Sequence, residues 1–454
     1  MSIPIHDMLR WLDLDVSLAD HPIRDFVIDS RLIEADDLFI ALRGESADGH
    51  DYVRHALERK ASAALVSKRF ADRSPDLLSR LIPVDDPLQS LQKLAAIRRK
   101  QFQHPVIAIT GTNGKTTTKE MISRVLSVKY RVHKTEGNLN NHIGLPITIL
   151  RCPEEAEVMV LELGMNHPGE LSALAAIADP THGVLTNIGH GHLGYFGTVE
   201  KIGEAKAELL ESLRLSGTAF LNWDDTILRK YGRIAARTIR YGFTSDSDVP
   251  AKKLPGSSDR PAMQVAGVEI QLKIPGHHQL YNALAAVAVG LDFSIPAASI
   301  ASCLADFEPF SQRMEKIEIQ GILILNDVYN ANLDSMKAAL ETLKGIRSKR
   351  TIAILGDIFE LGNFSEDQHV RLGEMVEKID PSCFWGVGPE MAHAFKSSHL
   401  NGTDRRMHFK SLDDAISGIT GKLRPGDVVL VKGSRGMHME KLVAAVIEDL
   451  ESRK

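Results

Sequence analysis

A chain of 454 residues is long enough for about three domains of roughly 150 residues each, and its 43% hydrophobic and 25% charged content is ordinary for a soluble globular protein. The net charge of −5 gives no electrostatic reason to expect nucleic acid or an acidic membrane surface as a partner, and no stretch approaches the roughly 20 apolar residues of a bilayer span. Cys152, Cys303 and Cys383 are too few and too scattered for a disulfide framework or a zinc site, and the opening MSIPIHDMLRWLDLD has no basic flank before an apolar core, so a reduced cytoplasm is the expected home.

The first predicted unit is a β-loop-α-β segment. Asp37–Leu42 reads as a strand, Arg43–His50 as a loop, Asp51–Lys60 as a helix and Ala63–Val66 as a second strand. Ser30-Arg31 lies in a polar turn just upstream. Such a unit can hold a phosphorylated ligand at a strand end, although Ser, Asp and Gly are also ordinary residues of solvated turns.

The most informative stretch follows at residues 106–118, VIAITGTNGKTTT. The β-branched apolar run predicts a buried strand, the glycine-spaced residues a turn, and TTTKEMISRVL from Thr116 a helix. Strand, glycine turn, Lys-Thr and helix make a phosphate cradle. Backbone N–H groups of the turn and helix N-terminus face an anion, Lys115 neutralises phosphate charge, and Thr116 can hold Mg²⁺. Ile109 stands where the common GxxxxGK[ST] pattern has its first glycine, so the signature is the narrower TGTNGKT. A nucleoside triphosphate is the expected ligand.

Val158–Leu161 reads as a central parallel strand buried on both faces, with Glu162 at its C-terminal tip, where ligands of open parallel sheets gather and where a carboxylate can face Mg²⁺. Gly183–Ile188 reads as another strand. It opens into Gly189-His190-Gly191-His192-Leu193, from which one histidine could reach the same site; a histidine in a loop can equally be just solvated. Val199–Leu213 has helical spacing, with Ile202, Leu209, Leu210 and Leu213 on one stripe. At about 100° per residue, Lys206 falls inside that apolar arc. It must snorkel to water, find a partner or change its charge state.

From about Ser311 the α/β pattern restarts. Ile322–Leu325 runs into Asn326-Asp327-Val328-Tyr329-Asn330-Ala331-Asn332 and a helix from about Asp334 to Lys344. Thr351–Leu355 ends at Gly356-Asp357, and Asp427–Val431 ends at Lys432-Gly433-Ser434-Arg435-Gly436 before a final helix. Recurring strand, polar turn and helix predict a doubly wound, Rossmann-like sheet. Lys432 and Arg435 beside a glycine turn suit a carboxylate or phosphate, though surface turns also carry such residues. Hinges are expected near residues 103–105 and 310–313.

In order along essentially the whole chain, DSR, LFIALRGESADGH, TGTNGKTTTKE, GNLNNHIGLP, LELGMNHPGE, FGTVEKIGEAKAE, PGHHQLYNALAA, NDVYNANLDSM, GDIFELG and VLVKGSRGMHMEK resemble the Mur ligases, the ATP-dependent amide ligases of peptidoglycan synthesis. The resemblance implies three α/β domains: residues 1–103 for the UDP-linked substrate, a central P-loop ATPase-like parallel sheet over 104–311, and a Rossmann-like domain over 312–454. It implies a UDP-N-acetylmuramoyl tripeptide held by Ser30, Arg31 and the loop of Gly44, Asp48 and His50, with Thr135, Asn138, Asn140 and Asn141 on the muramoyl part. ATP would lie on Gly111, Thr112, Asn113, Gly114, Lys115, Thr116 and Thr117, with Asn282 at the adenine and Arg313 and Asp327 completing the nucleotide contacts. Glu162 and His192 match magnesium-ligand positions. Lys206 matches a lysine that becomes carbamylated and supports a second Mg²⁺, which would account for a lysine on an apolar stripe. Tyr329, Asn330, Asn332, Lys432, Ser434 and Arg435 would close the site and hold D-alanyl-D-alanine. The implied enzyme acts as a monomer on these small molecules.

Some positions depart from that pattern. Gln279 replaces a usual Asn, Leu333 stands where Pro is usual after YNAN, Ser311-Gln312 replaces Pro-Gly before Arg-Met, and His190 is additional. The chemistry implied is transfer of the γ-phosphoryl group to a peptide carboxylate, followed by attack of an amine on the acyl phosphate. Two alternatives stand beside it. One is another ligase of the same architecture, although folylpolyglutamate synthases lack the hundred or so residues before Lys115 and the diaminopimelate-adding type carries a DNPR motif absent here. The other is a non-catalytic nucleotide-binding regulator, which has no need of the Glu162, His192 and Lys206 set.

Overall fold

The computed structural model describes residues 3–16, 18–44, 47–308, 310–400 and 405–453. Glu45 and Ser46 of the first predicted loop lie outside them. Among the described residues a two-stranded antiparallel ribbon, Ile3–Pro4 with Pro22–Ile23, precedes three larger sheets that follow one another along the chain, each flanked by helices.

The first sheet is parallel throughout and places Phe26–Val27, Leu38–Ile40, Ala63–Ser67 and Leu81–Val84 side by side. The predicted helix over 51–60 is shorter and begins differently. Asp48 accepts from the His50 N–H and starts a 3₁₀ turn over Gly49–Tyr52, and the α-helix proper spans Val53–Glu58. Asp86 caps the helix Pro87–Gln101 that leads into the second sheet, accepting from the N–H groups of Leu88 and Gln89.

The second sheet has nine strands. Val106–Thr110 lies between Val158–Glu162 and His182–Leu185, and both neighbours are parallel to it. All five residues of Val106–Thr110 and of Val158–Glu162 are buried, as an apolar run covered on both faces requires. Because strand order diverges at Val106–Thr110, the tips of these strands form the crevice in which such sheets place their ligands. The far edge holds a hairpin that the periodicity reading did not anticipate. Val249–Leu254, Ala262–Val265 and Val268–Gln271 extend the parallel sheet with two antiparallel strands. These segments are short, with polar exposed alternates, which weakens their signal.

The third sheet runs Glu315–Ile319, Ile322–Asn326, Asp427–Lys432, Arg350–Gly356, Cys383–Val387 and Arg406–Phe409. All its pairings are parallel except the first, a hairpin that enters the domain. Among the described residues no helix is long and apolar enough to cross a membrane.

Candidate active site

A cavity of about 770 Å³ lies between the second and third sheets and is lined by the phosphate loop, the tip of Val158–Glu162, the loop after His182–Leu185 and the loop after Ile322–Asn326. Its size is that of a nucleotide-scale ligand site.

The phosphate loop is held from below by its neighbouring strand. Thr112 N–H donates to the Asn187 carbonyl at 2.9 Å, Asn113 N–H to Asn187 Oδ1 at 2.9 Å, and Thr186 Oγ1 to the Asn113 carbonyl at 2.6 Å. This use of Thr186 and Asn187 ends the predicted Gly183–Ile188 strand early, at Leu185. Gly114 takes φ +80° at the start of the helix Lys115–Leu126, and a Cβ there would overlap Asn282 Oδ1. Gly114→Ala is therefore expected to strain the turn by about 1–3 kcal/mol and weaken ATP binding at least tenfold, measured by calorimetric titration. Lys115 Nζ donates to the carbonyls of Gly111 and Thr112 at 2.9 and 3.1 Å. Burial pushes its ammonium below the ordinary lysine value, partly offset by Glu162. Thr116 is buried and Thr117 lines the cavity beside it.

Glu162 is 2% exposed. Its Oε1 accepts from Asn140 Nδ2 at 2.8 Å, whereas the buried Oε2 has no hydrogen-bond partner. Glu162 lines the polar cavity, and a carboxylate there with one oxygen unbonded among the described residues suits a cation. Thr135 is fully buried and supports this strand tip: Oγ1 accepts from the Glu162 N–H at 3.0 Å, and its carbonyl accepts from Lys119 Nζ at 2.6 Å. Lys119, not singled out from the sequence, is itself buried and pairs with Glu120 at 3.0 Å. Thr135 does not line the cavity, whereas Asn138, Asn140 and Asn141 do. The Asn141 side chain caps the N–H groups of Ile143 and Gly144.

Lys206 is 1% exposed on the helix Val199–Glu211 and makes no hydrogen bond or ion pair with any described residue. Burial, reinforced by the charge of Lys115, drives its amine well below the ordinary lysine value. Snorkelling, left open by the periodicity, does not occur. His192 has φ +62°, and its Nδ1 lies 2.6 Å from Glu360 Oε2, off the alignment of a hydrogen bond. Glu360 also has φ +62°, and the His192 contact holds its carboxyl below the ordinary value. Two non-glycine residues in the left-handed region facing each other mark a constrained site. His190 pairs instead with Asp334, which raises the imidazole above its ordinary value.

Beyond the phosphate loop, Asn282 Nδ2 donates to Gln279 Oε1 at 2.8 Å, so the Gln at 279 keeps an amide contact. Tyr281 donates to Asp224 at 3.0 Å. His278, half-buried and lowered to about 4 by desolvation, is neutral at physiological pH. Tyr281, Asp224 and His278 line this end of the cavity and carry no sequence signal of their own.

From the third sheet, Lys432 Nζ donates to Asp327 Oδ2 at 2.6 Å and to the Asn330 carbonyl at 2.9 Å. Asn332 caps the helix Leu333–Lys344 in a capping box with Ser335, so Leu333 opens this helix without the usual proline. The Arg313 guanidinium lies 3.8 Å from the centre of the Tyr329 ring, with that of Arg435 at 5.7 Å. Gln312 takes φ +63°, the left-handed conformation glycine favours, and accepts from Arg435 Nη1 at 2.9 Å. Ser434 and Arg435 do not line the cavity. Ser434 is buried and accepts from the Phe359 N–H at 2.8 Å, fixing the Asp357–Glu360 turn.

The first-domain candidates are not brought to this cavity. Ser30 is buried against His55, with Oγ 3.0 Å from Nδ1. Arg31 is exposed and paired with Asp29. Gly44 N–H donates to the Ala47 carbonyl. His50 contacts Asp48 through Nδ1 at 2.6 Å and accepts the Ser67 N–H at Nε2, so both ring nitrogens serve the loop itself.

A three-domain α/β protein with a TGTNGKT phosphate loop facing a C-terminal Rossmann-like sheet is a nucleotide-dependent ligase architecture, and the chain belongs to the Mur ligase family: residues 23–99 match the Mur ligase family catalytic domain, 109–290 the Mur ligase middle domain and 312–435 the Mur ligase glutamate ligase domain. Among its relatives, the UDP-N-acetylmuramoyl-tripeptide–D-alanyl-D-alanine ligase of Bacillus subtilis (strain 168) is 38% identical over 429 residues, covering 92% of each chain. That of Escherichia coli (strain K12) is 32% identical over 99% of each. A crystal structure of MurF from Acinetobacter baumannii superposes with a TM-score of 0.88 at 29% identity over 99% of both chains. MurF from Thermotoga maritima in complex with ADP gives 0.82 at 28% identity, covering 95% of this chain and 99% of that one.

Proposed function

We propose that the chain is an ATP-dependent amide ligase joining D-alanyl-D-alanine to UDP-N-acetylmuramoyl-tripeptide through an acyl phosphate. The observation carrying this reading is that one cavity is lined both by the phosphate loop with Glu162 and by third-domain residues Asp327, Asn330, Asn332 and Lys432. A carboxylate resists an amine because its leaving group would be an oxide. Phosphorylation replaces that leaving group with phosphate.

Lys115 releases its loop carbonyls to neutralise the triphosphate, and Asn282 orients the adenine. Mg²⁺, fitted by Thr116, His192 and the orphaned Glu162 oxygen, would offset repulsion among the phosphate and carboxylate oxygens. Arg313 and Asp327 extend the nucleotide contacts. Tyr329, Asn330, Asn332 and Lys432 hold the dipeptide, with Ser434 and Arg435 supporting them. Once the acyl phosphate forms, the neutral amine of the dipeptide attacks its carbonyl carbon and phosphate leaves. Domain closure aligns the reactants and excludes water. Ser30, Arg31, Gly44, Asp48 and His50 shape the first domain, residues 1–103, for the UDP end, and Asn138, Asn140 and Asn141 meet the muramoyl part.

The Lys206 amine, lowered well below the ordinary lysine value and without a polar partner among the described residues, suits addition of CO₂. A new N–C bond would give the carbamate as an amine N–H bond breaks and its proton leaves to solvent, and the resulting anionic oxygens would support a second Mg²⁺. The same reading places the enzyme in the cytoplasm as a monomer, without nucleic acid.

A substrate panel tests the proposal. Phosphate release is expected only with ATP, the UDP-linked tripeptide and D-alanyl-D-alanine together, and ¹⁸O from the labelled tripeptide carboxylate is expected in the phosphate. Release that ignores the dipeptide, or phosphate without label, overturns it.

A further inference from the structure

The loop Gly189–Leu193 carries a histidine, His190, with no part in the chemistry above. Its backbone N–H donates to Asp334 Oδ2 at 2.6 Å, and its Nδ1 lies 3.0 Å from both oxygens of the same carboxylate. The approach is close enough that a Cβ on Gly189 would overlap Asp334 Oδ2. Asp334 sits in the first turn of the helix Leu333–Lys344, where a carboxylate is favoured by the helix dipole. Two residues earlier, at that helix's N-cap, Asn332 crosses to the phosphate loop. Its Nδ2 donates to Asn113 Oδ1 at 2.8 Å, and Asn113 Nδ2 returns a bond to Asn332 Oδ1 at 3.3 Å. A single capped helix end from the third domain therefore docks on two loops of the second. The same histidine loop is pinned again three to four residues on, where the Gly194 N–H donates to the Glu360 carbonyl at 3.0 Å.

We propose that His190 and Asp334 form a clamp that holds the third domain closed over the phosphate loop, making His190 a positioning residue for the ligase reaction. This inference rests on the ligase reading of the cavity. His190 and Asp334 line the cavity, but among the described residues no hydrogen bond or ion pair joins His190 to the phosphate loop or to Glu162. It acts through Asp334, whose helix places Asn332 on Asn113 and, at the adjoining turn, Asn330 and Tyr329 on the cavity. The bifurcated ring contact together with a backbone N–H on the same carboxylate defines one closed geometry rather than a loose range of them. Both side chains are partly exposed at the interdomain surface, so replacing them spares the domain cores.

A double-mutant cycle of His190→Ala and Asp334→Asn tests the clamp, with melting temperature as a check on folding. Two readouts are taken. The first is the radius of gyration by small-angle scattering with ADP and Mg²⁺ present, which does not depend on turnover. The second is kcat and KM for the dipeptide beside the affinity for ADP. Each single variant is expected to lower kcat/KM for the dipeptide roughly fivefold to tenfold, with the double variant no worse than the larger single effect. The radius of gyration should increase in all three variants, and ADP affinity should fall with it, because Arg313 and Asp327 of the third domain reach the nucleotide. Effects that multiply in the double variant, or an unchanged radius of gyration, overturn the clamp. If the wild type makes no ligase product, the ligase reading fails while the scattering arm still decides the clamp.

Discussion

Lys206→Ala is expected to lower turnover by about 10²–10³-fold, with formate or acetate restoring part of it. Lys206 occupies a fully buried position without a hydrogen bond or ion pair to any described residue, and an uncompensated ammonium there is costly. Burial and the charge of Lys115 push its amine well below the ordinary lysine value, favouring the neutral form, which is the one that adds CO₂. Alanine removes the stem and the carbamate together, and a small carboxylate can re-enter the space with its oxygens near the same place. Two measurements check this. Turnover of the variant should rise with added acid. The wild type supplied with ¹³C-bicarbonate should show a carbamate carbon signal that Lys206→Ala lacks. Normal turnover in the variant would reduce Lys206 to a structural residue.

Glu162→Gln is expected to separate activity from stability in opposite directions. The carboxylate is nearly inaccessible, one oxygen is bonded to Asn140, and the other is buried without a hydrogen-bond partner among the described residues. An orphaned buried oxygen costs about 1–3 kcal/mol, and more when charged. Glutamine keeps the acceptor for Asn140 and removes the charge, so the melting temperature is expected to hold or rise by about 2–4 °C. The same change deletes the anionic oxygen offered to Mg²⁺, and turnover is expected to fall about 10²–10³-fold. Differential scanning fluorimetry and a magnesium titration of phosphate release check the two halves. A large loss of stability with activity retained would assign Glu162 to the core instead.

Much of this was legible in the amino-acid order. The buried strand VIAIT, the glycine turn and the Lys-Thr helix start are local events, each decided within a dozen residues by side-chain period and backbone freedom. The placement of Lys206 on an apolar arc was equally local, because helical period alone fixes which face a residue shares. Glu162 at a strand tip followed from the same logic for a parallel sheet.

What the order could not carry was which remote loops meet. Asn113 and Asn332 are 219 positions apart, and His190 and Asp334 are 144 apart. His192 faces Glu360 only because the second and third sheets meet, and Thr135 braces Glu162 and Tyr281 meets Asp224 only because segments of the second domain far apart in the chain pack together. Those contacts separate residues that reach the cavity from residues that hold it up, as with Thr135 and Ser434. Local sequence thus determined the elements and the chemical equipment at their tips, since period, capping and glycine geometry act over a few residues. The tertiary structure decided the partners, because packing energy between distant segments depends on shape and position that no short stretch of chain encodes.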